Sequence, residues 1–454
     1  MIIRFSRTMV IEAHNNLSLR HLSELFLVYT KKSGCGIINK TDTSEDTQMR
    51  ILHTADWHLG KNIEGHSRMD EQACFLADFV KIVKDEKIDL LIIAGDVYDS
   101  YNPPARAEEL FYETLKQLSD GGKRLILVIA GNHDNPQRLE APGPLARDHG
   151  ILMAGVPKTI IPTGAYGQHQ VVAAGEGYVE LEINSERAVI LLLPYPSEKR
   201  LNEVLYDLTT AEDENQKSYS DRIHSYFSQL ESHFRDDTIN LVTTHLFAMG
   251  SEEAGSERTI QLGGTYIVDG QCFPEKAHYI ALGHIHKPQV IPGTNGRGRY
   301  AGSPIHFNRR EIAYGKKCMM AEIIVDDGVT VKNEIREIDL KVYKPIEVWK
   351  CDNVDAAIAR CAANADRSCW VYLEIETDHY IREDEIKKMK AHKADILEVI
   401  PRLTTLETEA SLEALTEKSF GDVFKEFYRR ERGTEADDEV LELLLSLVLE
   451  EDKQ

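Results

Sequence analysis

The sequence has no run of about 18 or more apolar residues, the length a membrane-spanning helix needs, so no membrane span is expected. Its first residues, Met1-Ile2-Ile3-Arg4-Phe5-Ser6-Arg7, lack an apolar segment and a small-residue cleavage site, and no secretory signal is expected. Cysteine is sparse: seven in 454 residues, an odd number, with no two at C-x-x-C spacing. That fits free thiols in a reducing cytosol better than a disulfide framework or a zinc ribbon. Positive charge is also short. Lysine and arginine total 53 against 75 Asp and Glu, a formal net charge of −22. Such a chain has no global attraction for nucleic acid. Contact with DNA would have to draw on metal ions, a local basic patch or a partner. Part of the deficit is local, since Leu403–Gln454 holds six Lys/Arg and fifteen Asp/Glu. No internal repeat appears at periods of about 20–50 residues.

What is present is enough for a large core. Hydrophobic residues make up 42% and the length suits two or three domains of roughly 150 residues. Residues 1–48 have no clear apolar period and end in a polar stretch. Met49 opens a strand pattern, so 1–48 is expected to be a disordered extension or a start placed too early. From there apolar strands at 50–55, 89–94, 125–130, 189–193, 240–244 and 279–282 alternate with amphipathic helices. One helix carries Leu76, Phe79, Val80 and Val83 on a face; a second follows Pro103-Pro104; a third spans about 219–234. Alternation of this kind predicts an α/β fold with a sheet covered on both faces. After residue 300 the texture changes. Residues 340–402 read as a small α+β module, and 403–454 as two short helices with apolar stripes, the second capped at Thr434.

The chemistry converges on Gly283-His284-Ile285-His286, where two histidines stand two apart just past a strand. One histidine after a strand is more often a loop residue than a ligand. Here four other strand ends finish alike: Asp56 with His58, Asp96, Asn132 with His133, and His245. In open α/β sheets ligands collect beyond the carboxyl ends of the strands. Carboxylate, imidazole and amide oxygen together suit manganese, iron or zinc more than calcium, and the lack of thiolates argues against structural zinc. Seven donors are too many for one ion and suit two ions bridged by a carboxylate, the arrangement that hydrolyses phosphoesters. His133 is the natural general acid for a leaving alkoxide, with Asp134 placed to fix its tautomer.

These residues carry a resemblance. Asp56-x-His58, Gly95-Asp96, Gly131-Asn132-His133-Asp134, Thr244-His245 and Gly283-His284-x-His286 match, in order, the motifs of the calcineurin-like metallophosphoesterases. Ile51 through Gly60, Ala94 through Asp99, Ala281 through His286 and Gly302-Ser303-Pro304 look like the SbcD nuclease-subunit family. The resemblance covers about 49–450. It implies a metallophosphoesterase nuclease domain over 49–339 with a core of β-sheets flanked by helices, a capping domain for DNA at 340–402, and C-terminal helices at 403–454 that dock on the coiled coil of SbcC, an ABC-type ATPase that binds the ATP. It also implies Asp56, His58 and His286 on one ion, Asn132, His245 and His284 on the other, Asp96 bridging, and His133 protonating the 3′ leaving oxygen. The archaeal relatives place a second histidine three residues after the bridging Asp, where this chain has Asp99.

The expected activity is hydrolysis of DNA phosphodiesters with two divalent ions, manganese first. It would be 3′→5′ exonuclease action on duplex ends and endonuclease action on single strands and hairpins, in a cytoplasmic, nucleoid-associated complex. A homodimer within a heterotetramer is implied, with the helix at about 70–86 a candidate interface. Lys61, Arg68 and Ser303 lie near the motifs and are the candidates for DNA phosphate contact. Two other readings stay open: a phosphatase or cyclic-nucleotide phosphodiesterase with the same core, and a non-catalytic scaffold. The tail helices could also fold back on the chain's own body.

Overall fold

The computed structural model describes residues 48–201, 212–257, 267–403 and Lys425. The expectations for residues 1–47 and for a helical pair after 403 lie outside the described residues.

In chain order the principal strands begin with β1 (Met49–Thr54), β2 (Leu90–Ala94), β3 (Leu125–Ile129) and β4 (Ile151–Ala154). A meander follows, β5 (Gly164–Tyr166), β6 (His169–Gly175), β7 (Tyr178–Ile183) and β8 (Glu186–Leu193). Then come β9 (Ile239–His245), β10 (Tyr279–Gly283), β11 (Gln289–Val290), β12 (Gly298–Tyr300), β13 (Lys317–Asp326) and β14 (Val329–Asp339). They form two sheets. The first has the order β14-β13-β1-β2-β3-β4, parallel from β1 to β4 with an antiparallel edge at β13 and β14. The second runs β11-β12-β10-β9-β8-β7-β6-β5, parallel through β8, β9, β10 and β12.

The sheets pack face to face. Ile51, Leu90, Ile92 and Leu127 of the first meet Ile190, Leu192, Leu241 and Ala281 of the second in one buried cluster. Because side chains alternate along a strand, Leu52, Leu91 and Ile93 point the other way, onto α1 (Met69–Asp85) and α2 (Ala105–Leu118). On the far side, Val189, Leu191 and Val242 meet Tyr219, Ile223 and Phe227 of α3 (Glu212–Leu230). An all-apolar strand shows that both faces are covered but not whether helix or sheet does the covering.

A smaller parallel sheet, β15 (Ile346–Cys351), β16 (Trp370–Thr377) and β17 (Ile396–Leu403), carries α4 (Val354–Ala363) and α5 (Glu383–His392). Val371, Leu373 and Ile375 bury one face under the helices. Ile346, Trp370, Tyr372 and Leu397 on the other face pack on Ile63 of the main body. No helix among the described residues is long and apolar enough to cross a membrane.

Candidate metal centre

The parallel strands β1, β2, β3, β9 and β10 deliver their carboxyl ends to one place. The chain turns sharply there. Asp56, His58, Asp96 and His284 have φ of 53°, 45°, 49° and 102°, a left-handed region that side chains rarely adopt and that clusters at functional sites. The turn Asp56-Trp57-His58 is anchored by Trp57, which is buried edge-on against Phe75, Phe79 and Phe111 at 5.8–6.1 Å. Gln72 clamps the same turn, donating to the carbonyls of His58 (2.7 Å) and Trp57 (3.2 Å). Two glycines let the strand ends close up. A Cβ on Gly95 would meet His245 Nδ1 at 2.3 Å, and one on Gly131 would meet Asp96 Oδ1 at 2.1 Å.

Among the described residues, three groups of side chains bring donor atoms within 4.8 Å of one another: Asp56, His58 and His286; Asp56, Asp96 and His245; and His58, Asp96 and His133. His58 Nε2 and His286 Nε2 stand 3.0 Å apart. Asn132 Oδ1 lies 3.0 Å from His245 Nε2 and 3.1 Å from His284 Nδ1. Asp96 Oδ2 sits between the halves, 3.5 Å from His58 Nε2 and 3.4 Å from His245 Nε2.

The outer ring nitrogens set the tautomers. His245 Nδ1 donates to the Ala94 carbonyl at 2.9 Å, so Nε2 is the atom that a metal would take in exchange for a proton. His286 Nδ1 meets Ser256 Oγ at 2.5 Å, and Ser256 in turn donates to Glu311, which pairs with the buried Lys316. His58 Nδ1 has no hydrogen bond of good geometry, but Asp99 Oδ1 lies 3.3 Å away. Outer partners of this kind orient ligating histidines. Two imidazole lone pairs facing each other at 3.0 Å repel unless a proton or cation lies between them, so the donor set fits a divalent ion.

The charges point the same way. Burial, with little relief from neighbours, pushes His58 and His284 down to about 3. His245 moves the other way: against the cost of its burial, Asp96 and Asp56 lift it to about 9. Burial raises Asp56 to about 6, partly offset by His245 and His286. Asp96 lies well below the usual carboxylate range, because His245, His133 and His58 outweigh its desolvation.

The residues 49–288 match the family model described as calcineurin-like phosphoesterase. The chain is 38% identical to the SbcD component of the nuclease SbcCD from Bacillus subtilis over 401 residues, 88% of this chain and 97% of that one. The chain belongs to the calcineurin-like phosphoesterases, in their SbcD nuclease branch. It is a metal-dependent phosphodiester hydrolase. The corresponding SbcD components from Rhodobacter capsulatus and Escherichia coli K12 are 34% and 29% identical, over 59% and 75% of this chain and 64% and 81% of theirs. Residues 342–432 match a second family model, the type 5 capsule protein repressor C-terminal domain.

Within this phosphoesterase some expected residues sit elsewhere in the machinery. Arg68 is buried, held by both oxygens of Glu71 and donating to the His306 carbonyl, so it is not exposed to DNA. Ser303 is buried too and accepts from Lys316 Nζ at 2.8 Å. Lys61 is at the site, with Nζ 2.7 Å from Asp99 Oδ1 and 5.3 Å from the Phe307 ring centre. Asp134 does not orient the His133 ring. Its carboxylate accepts the N–H groups of Gly131, Val97 and Tyr98 at 2.8–3.2 Å. His133 Nδ1 instead meets the Asp99 carbonyl at 2.7 Å. A carbonyl only accepts, so Nδ1 carries the hydrogen and Nε2 is the atom that can exchange a proton. Sequence reasoning missed Gln72, Arg200, Ser256, Glu311 and Lys316. Nothing local marks them, since an isolated polar residue is ordinarily solvent-facing.

Proposed function

We propose that this phosphoesterase is the nuclease subunit of an SbcCD-type complex. In this reading it hydrolyses DNA phosphodiesters with two manganese ions, as a 3′→5′ exonuclease on duplex ends and an endonuclease on single strands and hairpins, in cytoplasmic DNA end processing, recombination and repair. The names of its relatives support the complex and the nuclease activity. Asp56, His58 and His286 would hold one ion, Asn132, His245 and His284 the other, and Asp96 would bridge. The observation that carries this is the pair of facing Nε2 atoms 3.0 Å apart, with Asp96 between them and His245. Bound divalent ions supply Lewis-acid polarisation of the phosphate and lower the pKa of the attacking water.

The chain's own residues do the rest. His133 keeps its hydrogen-bearing Nδ1 on the Asp99 carbonyl and delivers a proton from Nε2 to the 3′ leaving oxygen. Its main-chain N–H on Asp96 Oδ1, at 2.9 Å, ties that acid to the bridging carboxylate. Lys61 is the remaining candidate for phosphate contact. The sheet of β15–β17, docked beside the site through Trp370, would help orient DNA.

The test is manganese-dependent release of nucleotides from a blunt, 3′-labelled duplex, with and without SbcC and ATP. The expected result is activity that requires the partner, with His133→Ala retaining metal but losing about 10²–10⁴-fold in turnover. Turnover of a small phosphodiester with no DNA hydrolysis in any condition would favour a phosphodiesterase instead.

A further inference from the structure

We propose that Arg200 is a positioning residue for the Asn132–His133 turn, acting as a brace that sets where the amide oxygen and the acid stand. Its Nη1 donates to the Gly131 carbonyl and its Nη2 to the Asp134 carbonyl, both at 2.7 Å. These two carbonyls bracket Asn132 and His133, so one rigid guanidinium fork spans the whole turn. The proposal rests on the role given above to those two residues.

The rest of the turn is tied from other directions. The Asp134 carboxylate takes the Gly131 N–H at 2.8 Å, and the His133 N–H reaches Asp96 Oδ1 at 2.9 Å. None of these contacts holds the two carbonyls. Arg200 is half-buried and far away in sequence, and its arm is itself fastened to the end of β3. Tyr195 N–H donates to the Ala130 carbonyl at 2.9 Å, and the guanidinium lies 5.5 Å from the Tyr195 ring centre. A lysine offers a point charge, not a planar fork, and cannot reproduce the two-carbonyl bridge. Asn132 Oδ1 stands 3.0 and 3.1 Å from two imidazole nitrogens. A shift of about 1 Å in such a group costs on the order of 10²-fold.

The test uses the full chain with Arg200→Lys and Arg200→Ala. Turnover of bis(4-nitrophenyl) phosphate with Mn2+ is measured alongside calorimetric Mn2+ titration of the metal-free protein. Both variants are expected to lose about 10- to 100-fold in kcat with KM within about twofold, and to weaken one of two Mn2+ binding events about 10-fold or more. Millimolar guanidinium ion should restore part of the kcat of Arg200→Ala and none of that of Arg200→Lys. Full kcat and two unchanged binding events in Arg200→Lys would overturn the proposal, as would an Arg200→Ala protein that is impaired but indifferent to guanidinium. If Arg200→Ala does not fold, Arg200→Lys decides alone. A parent chain that hydrolyses neither DNA nor the probe would sink the nuclease reading, while the Mn2+ titrations would still decide the brace.

Discussion

The two halves of the metal centre are held by different means. Around Asn132, His245 and His284 the supports involve main-chain groups: the Ala94 carbonyl on His245, and the carbonyls of Gly131 and Asp134 on Arg200. Around His58 and His286 they are side chains, often charged: Asp99 with Lys61, and Ser256 with Glu311 and Lys316. The Ala94 carbonyl at a strand end survives almost any substitution, so in the first half Arg200 is the support that a single change removes. The second half depends on side chains that can be changed one at a time. The His58 half therefore offers more side chains through which its affinity can be tuned.

The sharpest way to break this contrast is at Glu311. It and Lys316 are both buried and paired, and Glu311 is held well below the usual carboxylate range, the cost of burial being outweighed by Lys316 and His286. Glu311→Gln leaves the Lys316 charge buried without a counter-ion, which costs about 3–5 kcal/mol. Urea unfolding of the metal-free protein should show that loss, and the Mn2+ event assigned to His286 should weaken with it. Replacing the pair by Glu311→Leu with Lys316→Met should restore most of the stability but not the affinity. Recovery of both would show that the pair serves the fold alone.

Next in size is Asp99→Ala. The carboxylate beside His58 Nδ1 is removed, while the main-chain carbonyl under His133 remains. One Mn2+ event should weaken about 10- to 100-fold, with the other unchanged. Equal loss at both would mean that the halves are not independently supported.

These supports also mark the limit of what the sequence could tell. Asp56, His58, Asp96, Asn132, His245, His284 and His286 were legible because each follows an apolar run that must be a buried strand, and parallel strands deliver their ends together. Nothing local links Asp99 to His58 or Glu311 to His286, because these pairings exist only once the chain has folded. Arg68 misled for a different reason: its ion-pair partner is only three residues on, and what hides it is its burial under His306. Beside a ligand motif an arginine reads as a phosphate contact, but here it pairs with Glu71, which also accepts from Trp370 Nε1 at 2.6 Å. That the strands are covered on both faces was legible too, although an apolar strand alone does not say what covers it.

Acid separates the halves more gently. Asp56 has a folded-state pKa raised to about 6, so below that pH it is protonated and a metal must displace the proton. His245 is raised to about 9 and is protonated through neutral pH, so metal must displace a proton there over a much wider range. Mn2+ titrations between about pH 5 and 9 should then show one event losing up to about tenfold per pH unit only below about 6. The other should gain affinity steadily as pH rises toward about 9. Parallel pH curves for the two events would contradict the assignment of Asp56 and His245 to different ions.

The smallest expected effect concerns DNA, and it sets Lys61 against Arg68. Lys61 reaches the mouth of the site on Phe307, and its Asp99 partner is part-exposed, so solvent screens that pair and leaves the ammonium able to meet a phosphate. Arg68 is sealed between Glu71 and the His306 carbonyl, and Glu71 in turn accepts from Trp370 of the small sheet. If Lys61 touches one phosphate, Lys61→Ala should weaken DNA binding evenly across sequences and lower the salt slope of log K by about 1. Arg68→Ala should leave that slope alone and lower thermal stability, because it strands the buried Glu71. A slope that falls in Arg68→Ala and not in Lys61→Ala would mean that the small sheet lifts away on binding, exposing Arg68 to the backbone.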